Sequence, residues 1–219
     1  MAKTILGIDE AGRGPCIGSL FLVGVMCEEE KLPRLKEIGA IDSKLLPHKK
    51  RILLAEKIKK IAKEIKAITL SPEEIDSAVE GNDGLNLNWL EAEKTAEIIN
   101  SLKPDKAIID CPSNNIKAYT NYLKNRLTHK SVELVLTHKA ERFEIVAAAS
   151  IIAKVLREEE VAKIEKLVKQ SIGSGYPSNP ICQKFLKENH ENYPEIIRKS
   201  WQSYKNIIKE ESQKSLGEF

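Results

Sequence analysis

Three short apolar segments of the chain each lead to an acidic side chain. The segments are residues 4–8, 106–109 and 132–136, and the acids that follow them are Asp9 with Glu10, Asp110, and Glu141. Apolar runs of this length are typical of buried strands. Because ligand clefts form at strand ends in open α/β sheets, we expect these carboxylates to converge although they are distant in the sequence.

Helical patterns separate and follow these segments. Residues 18–26 form a further strand-like run, which the turn 11–15 joins to residues 4–8 as an antiparallel hairpin. A Ser-Pro-Glu-Glu sequence, typical of a capped helix start, predicts a helix from residue 71 onward. The spacing of apolar side chains predicts further helices over 47–66, over 85–102, through 147–153, and over 179–190 and 194–211. Strands that alternate with helices favour an α/β fold in which helices cover a mixed sheet.

Length and composition bound the domain organisation. A chain of 219 residues, 42% hydrophobic and 31% charged, has the composition of a soluble globular protein and the length to bury its own core. We expect a catalytic domain over 1–172, a C-terminal helical lobe packed on it over 173–211, and a flexible tail over 212–219. The net charge of +3 is too small to identify a nucleic-acid partner.

The sequence also indicates a cytoplasmic location. No apolar run approaches the roughly 20 residues of a membrane-spanning helix, and the N-terminus lacks the apolar stretch of a secretion signal. The four cysteines are far apart in the sequence and show no metal-ligand spacing, which is typical of a reducing compartment.

Converging acids predict a site for divalent cations. Several carboxylates in one cleft repel each other unless a cation is bound, and Mg²⁺ prefers oxygen ligands. Two such ions roughly 4 Å apart can activate a water and stabilise the leaving oxygen of a phosphodiester.

The turn that follows the first acid pair has the sequence Gly12-Arg13-Gly14. Glycines on both sides of Arg13 allow a ligand to approach the backbone closely, because no Cβ stands in the way. Such a turn can read a small polar group, and the ribose 2′-hydroxyl is the group that distinguishes RNA from DNA.

These features occur within a set of segments that resembles the signature of ribonuclease HII, the type 2 ribonucleases H, and is most similar to archaeal members. The segments follow that family's order and are Ile8–Pro15 (IDEAGRGP), Asp42–Lys44 (DSK), Ile109–Asp110 (ID), His138–Glu141 (HKAE), Ala148–Lys154 (AASIIAK) and Gly173–Ser178 (GSGYPS). The resemblance covers residues 4 to about 205. It implies a ribonuclease H-like mixed sheet flanked by helices, with a C-terminal helical lobe.

The resemblance also implies an activity. Members hydrolyse the RNA strand of RNA–DNA hybrids with Mg²⁺ or Mn²⁺ and cut on the 5′ side of a single ribonucleotide embedded in duplex DNA, leaving 3′-hydroxyl and 5′-phosphate ends. The catalytic and metal-binding acids it implies are Asp9, Glu10, Asp110 and Glu141. The family usually has aspartate at the position of Glu141, so either Glu141 serves with its longer side chain or Glu144, one turn later, takes part.

Further positions match the family's substrate-binding residues. The Gly12-Arg13-Gly14 turn matches the contact to the ribose 2′-hydroxyl, and Tyr176 matches the tyrosine that stacks on the sugar of the following deoxynucleotide. Backbone or phosphate contacts are implied for Lys44, Ser150 and Lys154, and for one of Asn86 and Asn88, of which Asn88 is our choice.

The C-terminal tail resembles a motif that binds the DNA sliding clamp. Its spacing places Gln213, Leu216 and Phe219 at positions where a short helical turn brings the two apolar side chains to one side. The family resemblance implies a monomer. The alternatives are a nucleic-acid-binding member with weakened catalysis and another two-metal nuclease of the same fold.

Overall fold

The computed structural model of the chain describes residues 2–40, 46–81 and 84–216. Its strands are β1 (Thr4–Ala11), β2 (Leu20–Glu28), β3 (Glu64–Leu70), β4 (Lys106–Asp110) and β5 (Glu133–Thr137). Its α-helices are α1 (Leu32–Glu37), α2 (His48–Ile61), α3 (Pro72–Val79), α4 (Leu87–Leu102), α5 (Ile116–Arg126), α6 (Glu144–Val168), α7 (Pro180–Asn189) and α8 (Gln202–Leu216). Within these ranges no helix has the length and apolarity needed to cross a membrane.

The five strands form one mixed sheet in the order β3-β2-β1-β4-β5. The predicted hairpin is confirmed, because β1 pairs with β2 in antiparallel register. On its other side β1 pairs with β4, and β4 with β5, in parallel. The carboxyl ends of β1, β4 and β5 therefore lie at the same edge of the sheet, as the three acid-bearing segments predict.

The chain divides into two compact units. The first consists of residues 1–11, 21–69 and 87–157, and the second of residues 12–20, 70–86 and 158–219. The second unit includes the whole segment 173–211 that was predicted as a helical lobe, together with the turn after β1. The predicted boundaries at 172 and 211 stay a prediction.

Helices cover both faces of the sheet in the first unit. A Cβ placed on Gly7 of β1 would lie 2.4 Å from the backbone of Ile145, so α6 packs directly on this strand at a point where a side chain has no room. The small side chains of Ala148 and Ala149 in α6 are fully buried in the same core. A Cβ on Gly24 of β2 would meet Ile98 of α4 at 2.5 Å. Since Gly24 pairs with Ile8 and Gly7 with Val25, these two contacts lie on opposite faces.

The second unit has its own apolar core, built mainly from the end of α6, from α7 and from Ile17, Ile197 and Ile207. The predicted start of α3 is confirmed: the Ser71 hydroxyl accepts from the Glu74 N–H, and the Glu74 carboxylate accepts from the Ser71 N–H. This reciprocal cap satisfies two donors that a helix start leaves open.

Several elements differ from the sequence prediction. Residues 64–66 belong to β3 and not to the helix predicted over 47–66, because α2 ends at Ile61. The predicted helix over 194–211 is in part wrong: 194–196 form a 3-10 turn, and α8 begins only at Gln202. The intervening stretch leaves the helical conformation and contacts residues 12–18 instead. Helices α1 and α5 were not predicted.

Candidate active site and recognition loop

Three acids predicted as metal ligands lie together in the first unit. One carboxylate oxygen each from Asp9, Asp110 and Glu141 lies within 4.8 Å of the other two. The sheet explains the first pair, because Ile8 of β1 stands beside Ile109 of β4 in parallel register and Asp9 and Asp110 occupy the next positions. The structure therefore brings together side chains that are 101 and 132 residues apart.

Glu141 reaches the group from the short 3-10 turn Ala140–Arg142, which follows β5. Lys139 before it adopts a left-handed conformation with φ of 56°, which turns the chain back toward the sheet edge. The Ala140 N–H then donates to Asp110 Oδ1 at 3.1 Å, so the turn that carries Glu141 is tied to the neighbouring acid. Among the described residues the group has Glu141 as its third member and does not include Glu144, at the start of α6.

The electrostatics of the group centre on Asp9. Burial raises the pKa of this carboxyl to about 7, and the nearby charges of Asp110 and Glu141 raise it further, whereas hydrogen bonds from Ser150 and from the Glu10 N–H oppose the shift. The Lys154 ammonium donates in turn to the Ser150 hydroxyl at 3.3 Å. A buried carboxylate beside two others favours a divalent cation, whose charge offsets both burial and repulsion.

Glu10, the fourth acid implied by the resemblance, is not in this group among the described residues. Successive residues of a strand point to opposite faces, so Asp9 and Glu10 diverge. Burial raises the pKa of Tyr119, and the carboxylates of Glu91 and Glu10 raise it further, which places both acids near this ring.

Glu91 on α4 is an acid that sequence reasoning missed. Its side chain is fully buried, and it lies on the same face of α4 as the buried residues Thr95, Ile98 and Leu102. The signal was present in the sequence, because an acid at this spacing interrupts an apolar helix face.

The second unit contains the predicted recognition loop. Gly12 has φ of 92°, a conformation that favours glycine. A Cβ on Gly14 would lie 3.0 Å from Cε1 of Tyr176, so the tyrosine ring lies against the bare backbone of the loop. The structure thus brings together two elements that were predicted to bind substrate and that are far apart in the sequence. Tyr176 keeps 44% of its surface exposed, which leaves ring surface available to a ligand.

Sequence reasoning also missed two residues of the second unit that bind this loop. Arg198 is fully buried, and its guanidinium donates to the carbonyl oxygens of Gly12, Arg13 and Gly18. The Trp201 indole N–H donates to the carbonyl oxygen of Gly14 at 3.1 Å. Their spacing carries no recognisable signal, since an arginine three residues before a tryptophan is compatible with many environments.

The remaining predicted residues are placed as follows. Asn86 is exposed in the loop before α4, and Asn88 is half-buried in the first turn of that helix. Gln213 is exposed on α8, which continues to Leu216. Lys44 and Phe219 lie outside the described residues.

Comparison with known proteins identifies the family. The sequence model described as Ribonuclease HII matches residues 6–204 of the chain. The chain belongs to the ribonuclease HII family. It is 44% identical over 216 residues to the Ribonuclease HII of Methanococcus maripaludis strain C5, an alignment that covers 95% of this chain and 88% of the relative.

Solved structures of ribonuclease HII agree with the fold. The crystal structure of the ribonuclease H2 from Pyrococcus horikoshii OT3 has a TM-score of 0.84 and 36% identity and covers 93% of this chain and 96% of its own. The structure of the PCNA:RNase HII complex from Archaeoglobus fulgidus has a TM-score of 0.81 and 36% identity, with the same coverage. The predicted ribonuclease H-like mixed sheet flanked by helices is thereby confirmed.

Membership of this family fixes the general activity. The chain is a ribonuclease H, an endonuclease that hydrolyses RNA in RNA–DNA hybrids with a divalent metal ion. The group formed by Asp9, Asp110 and Glu141 fits such an ion, because it offers three hard oxygen ligands at a sheet edge and carries a negative charge that burial disfavours.

Proposed function

We propose that this chain also cuts duplex DNA on the 5′ side of a single embedded ribonucleotide, leaving 3′-hydroxyl and 5′-phosphate ends, and that two Mg²⁺ or Mn²⁺ ions take part. The observation that carries the proposal is the contact of Tyr176 with the backbone of Gly14. A nuclease for continuous RNA strands has no need of a ring beside its ribose-reading loop, whereas an RNA-to-DNA junction offers that ring a deoxyribose.

The residues that would hold the ions are Asp9, Asp110 and Glu141. We assign Glu10 as a fourth ligand from the family resemblance, since its side chain is not part of this group. Two bound ions supply an activated water and stabilisation of the leaving oxygen. The chain itself contributes a rigid sheet edge on which the carboxylates converge, and the hydrogen bonds to Asp9 from Ser150 and from the Glu10 N–H keep its carboxylate oriented.

Lys154 provides positive charge near the acids, and Ser150 links it to Asp9 through hydrogen bonds. Ser150 and Lys154 occupy one face of α6 one turn apart, and the Lys154 ammonium donates to the Ser150 hydroxyl. A cation at this place both favours the ionised form of the acids and attracts a phosphate. We assign contacts with the sugar-phosphate backbone of the substrate to Ser150, Lys154, Asn88 and Lys44.

The loop Gly12-Arg13-Gly14 supplies the ribose specificity. Its glycines leave the backbone accessible, and the 2′-hydroxyl can both donate and accept a hydrogen bond. A site built to pair with a hydroxyl rejects the analogue that lacks it, because its own polar groups are then left unpaired.

The test is cleavage of two matched DNA duplexes, one of which carries a single ribonucleotide. We expect Mg²⁺- or Mn²⁺-dependent cutting only 5′ of the ribonucleotide, with end chemistry verified by ligation and by phosphatase treatment. Cutting of an all-RNA strand in a hybrid together with an intact single-ribonucleotide duplex would refute the junction activity. Binding of both duplexes without any cleavage would identify a binding module.

We propose in addition that the C-terminal segment binds a DNA sliding clamp through Gln213, Leu216 and Phe219. Gln213 is exposed on α8, and one related structure is a PCNA:RNase HII complex from Archaeoglobus fulgidus. Deletion of residues 213–219 should leave cleavage of short duplexes unchanged and abolish binding to the clamp of the same organism in calorimetry. Equal clamp affinity of the full and shortened chains would contradict this assignment.

A further inference from the structure

Arg198 is a charged side chain with no exposed surface, and its guanidinium donates to three backbone carbonyls. Its Nε donates to the oxygen of Gly18 at 2.8 Å, Nη1 to that of Arg13 at 2.9 Å, and Nη2 to that of Gly12 at 2.5 Å. Burying a guanidinium is costly unless its donors are satisfied. Here three donors in a planar fork hold a single loop.

Neighbouring groups extend this contact along the loop. The Trp201 indole N–H donates to the Gly14 oxygen, and the Trp201 ring lies 4.9 Å from the guanidinium carbon of Arg198. The backbone N–H of Arg198 donates to the oxygen of Cys16 at 2.9 Å. The carbonyls of Gly12, Arg13 and Gly14 are therefore all directed toward one short segment, residues 198–201.

The direction of these carbonyls determines the direction of the amides. In a trans peptide unit the C=O of one residue and the N–H of the next point in opposite directions. The Gly12 oxygen points to Arg198, so the N–H of Arg13 points away from Arg198. The Arg13 oxygen also points to Arg198, so the N–H of Gly14 points away from it as well. Two successive amides thus face the side of the loop opposite to the arginine.

We propose that Arg198, with Trp201, is a positioning residue that presents the Arg13 and Gly14 amides to the ribose 2′-hydroxyl. The inference rests on the function proposed above and adds the residues that give the loop its specificity. Lysine at this position would keep the charge but lose the planar fork, and with it the simultaneous hold on three carbonyls.

The experiment compares Arg198→Lys and Trp201→Phe with the unchanged chain. The affinities for a duplex with one ribonucleotide and for the all-deoxy duplex are measured by fluorescence anisotropy in Ca²⁺, with electrophoresis to verify that the strands stay intact. Arg126→Lys is the matched control. Arg126 also lies over an aromatic ring, 3.3 Å from the centre of the Tyr122 ring, but it belongs to the first unit and pairs with Glu93.

We expect both variants to lower the ratio of the two affinities by about fivefold to tenfold, roughly the factor one hydrogen bond supplies, while the all-deoxy affinity and the control ratio stay unchanged. A folded Arg198→Lys protein with the original ratio would overturn the positioning role and leave the proposed function standing. If Arg198→Lys fails to fold, Trp201→Phe decides by the same ratio. An unchanged chain that binds both duplexes equally would overturn the positioning role, whereas failure of that chain to cut the single-ribonucleotide duplex in Mg²⁺ would overturn the proposed function.

Discussion

The acidic group of the first unit and the glycine loop of the second unit are held in place by different means. Strand register brings Asp9 and Asp110 together, and the 3-10 turn after β5 adds Glu141, although burial and mutual repulsion raise the pKa of Asp9 to about 7. The carbonyls of the loop each accept a hydrogen bond from a side chain distant in the sequence. The acids are therefore destabilising until a cation binds, whereas the loop is already satisfied. This difference predicts that the two regions respond differently to substitution.

The largest effect is expected from removing an acid of the group. Asp110→Asn should lower the rate of metal-dependent cleavage about a thousandfold, because the charge that holds the cation and supports the transition state is lost. Circular dichroism and the melting temperature should remain close to those of the unchanged chain. Glu97→Gln, which removes an exposed carboxylate on α4, is the control and should leave the rate unchanged. A rate within a few-fold for Asp110→Asn would remove this residue from the site.

The next effect concerns stability and pH in the absence of metal. Because its pKa is raised from 3.8 to about 7, Asp9 binds a proton in the folded protein between these pH values that it releases in the unfolded chain. The folded state therefore loses stability as pH rises through this window. Asp9→Asn should raise the free energy of unfolding at pH 8 by at most about 4 kcal/mol, the upper bound that the size of the shift sets.

The difference in free energy of unfolding between Asp9→Asn and the unchanged chain should shrink toward zero near pH 4, where the Asp9 carboxyl is largely protonated in the folded protein. Urea unfolding in EDTA at both pH values measures it. Addition of Mg²⁺ should stabilise the unchanged chain and not the variant. If Asp9→Asn raises the free energy of unfolding equally at pH 4 and pH 8, the charge of Asp9 does not destabilise the folded protein.

The third effect tests the unusual glutamate. Glu141→Gln should lower cleavage about a hundredfold, whereas Glu141→Asp should retain activity, because the carboxylate remains within reach of the group. Glu144→Gln is the matched control on the adjacent turn and should be nearly silent. Steady-state rates in Mg²⁺ and Mn²⁺ give the comparison, and a silent Glu141→Gln beside a damaging Glu144→Gln would reverse the assignment.

The smallest effect concerns recognition. Tyr176→Ala should reduce cleavage at a single embedded ribonucleotide about tenfold, the scale of one lost stacking contact, and reduce cleavage of an all-RNA strand much less. Tyr176→Phe keeps the ring against Gly14 and serves as the control. Single-turnover rates on both substrates are compared; equal losses on the two would make Tyr176 a general structural residue.

The same difference between the regions explains what the sequence could predict. Strands β1, β4 and β5 and the acids that follow them were predicted from apolar runs that lead to carboxylates, and the structure places Asp9 beside Asp110 as expected. The hairpin and the capped start of α3 follow from local turn and capping chemistry. These features depend on residues that are neighbours in the chain or in a regular sheet.

The features that were missed depend on long-range contacts. Arg198 and Trp201 bind a loop about 185 residues earlier, and nothing in their local sequence indicates carbonyl partners. Residues 194–201 have a helical pattern, but tertiary hydrogen bonds to the loop keep most of them out of a helix. Helix α5 was missed because its apolar positions are few, with Tyr119 and Leu123 as its buried residues.

The most direct test of the account is the ribose discrimination of a chain that no longer cleaves. Asp110→Asn protein is titrated with the single-ribonucleotide duplex and with the all-deoxy duplex, and the ratio of the two dissociation constants is compared with that of the unchanged chain in Ca²⁺. If the acids carry out cleavage and the loop recognises the ribose, Asp110→Asn should lose cleavage while its ratio of dissociation constants stays within about twofold of that of the unchanged chain, since the loop keeps its hydrogen bonds. A ratio that falls to one together with the activity would contradict the separation of the two roles.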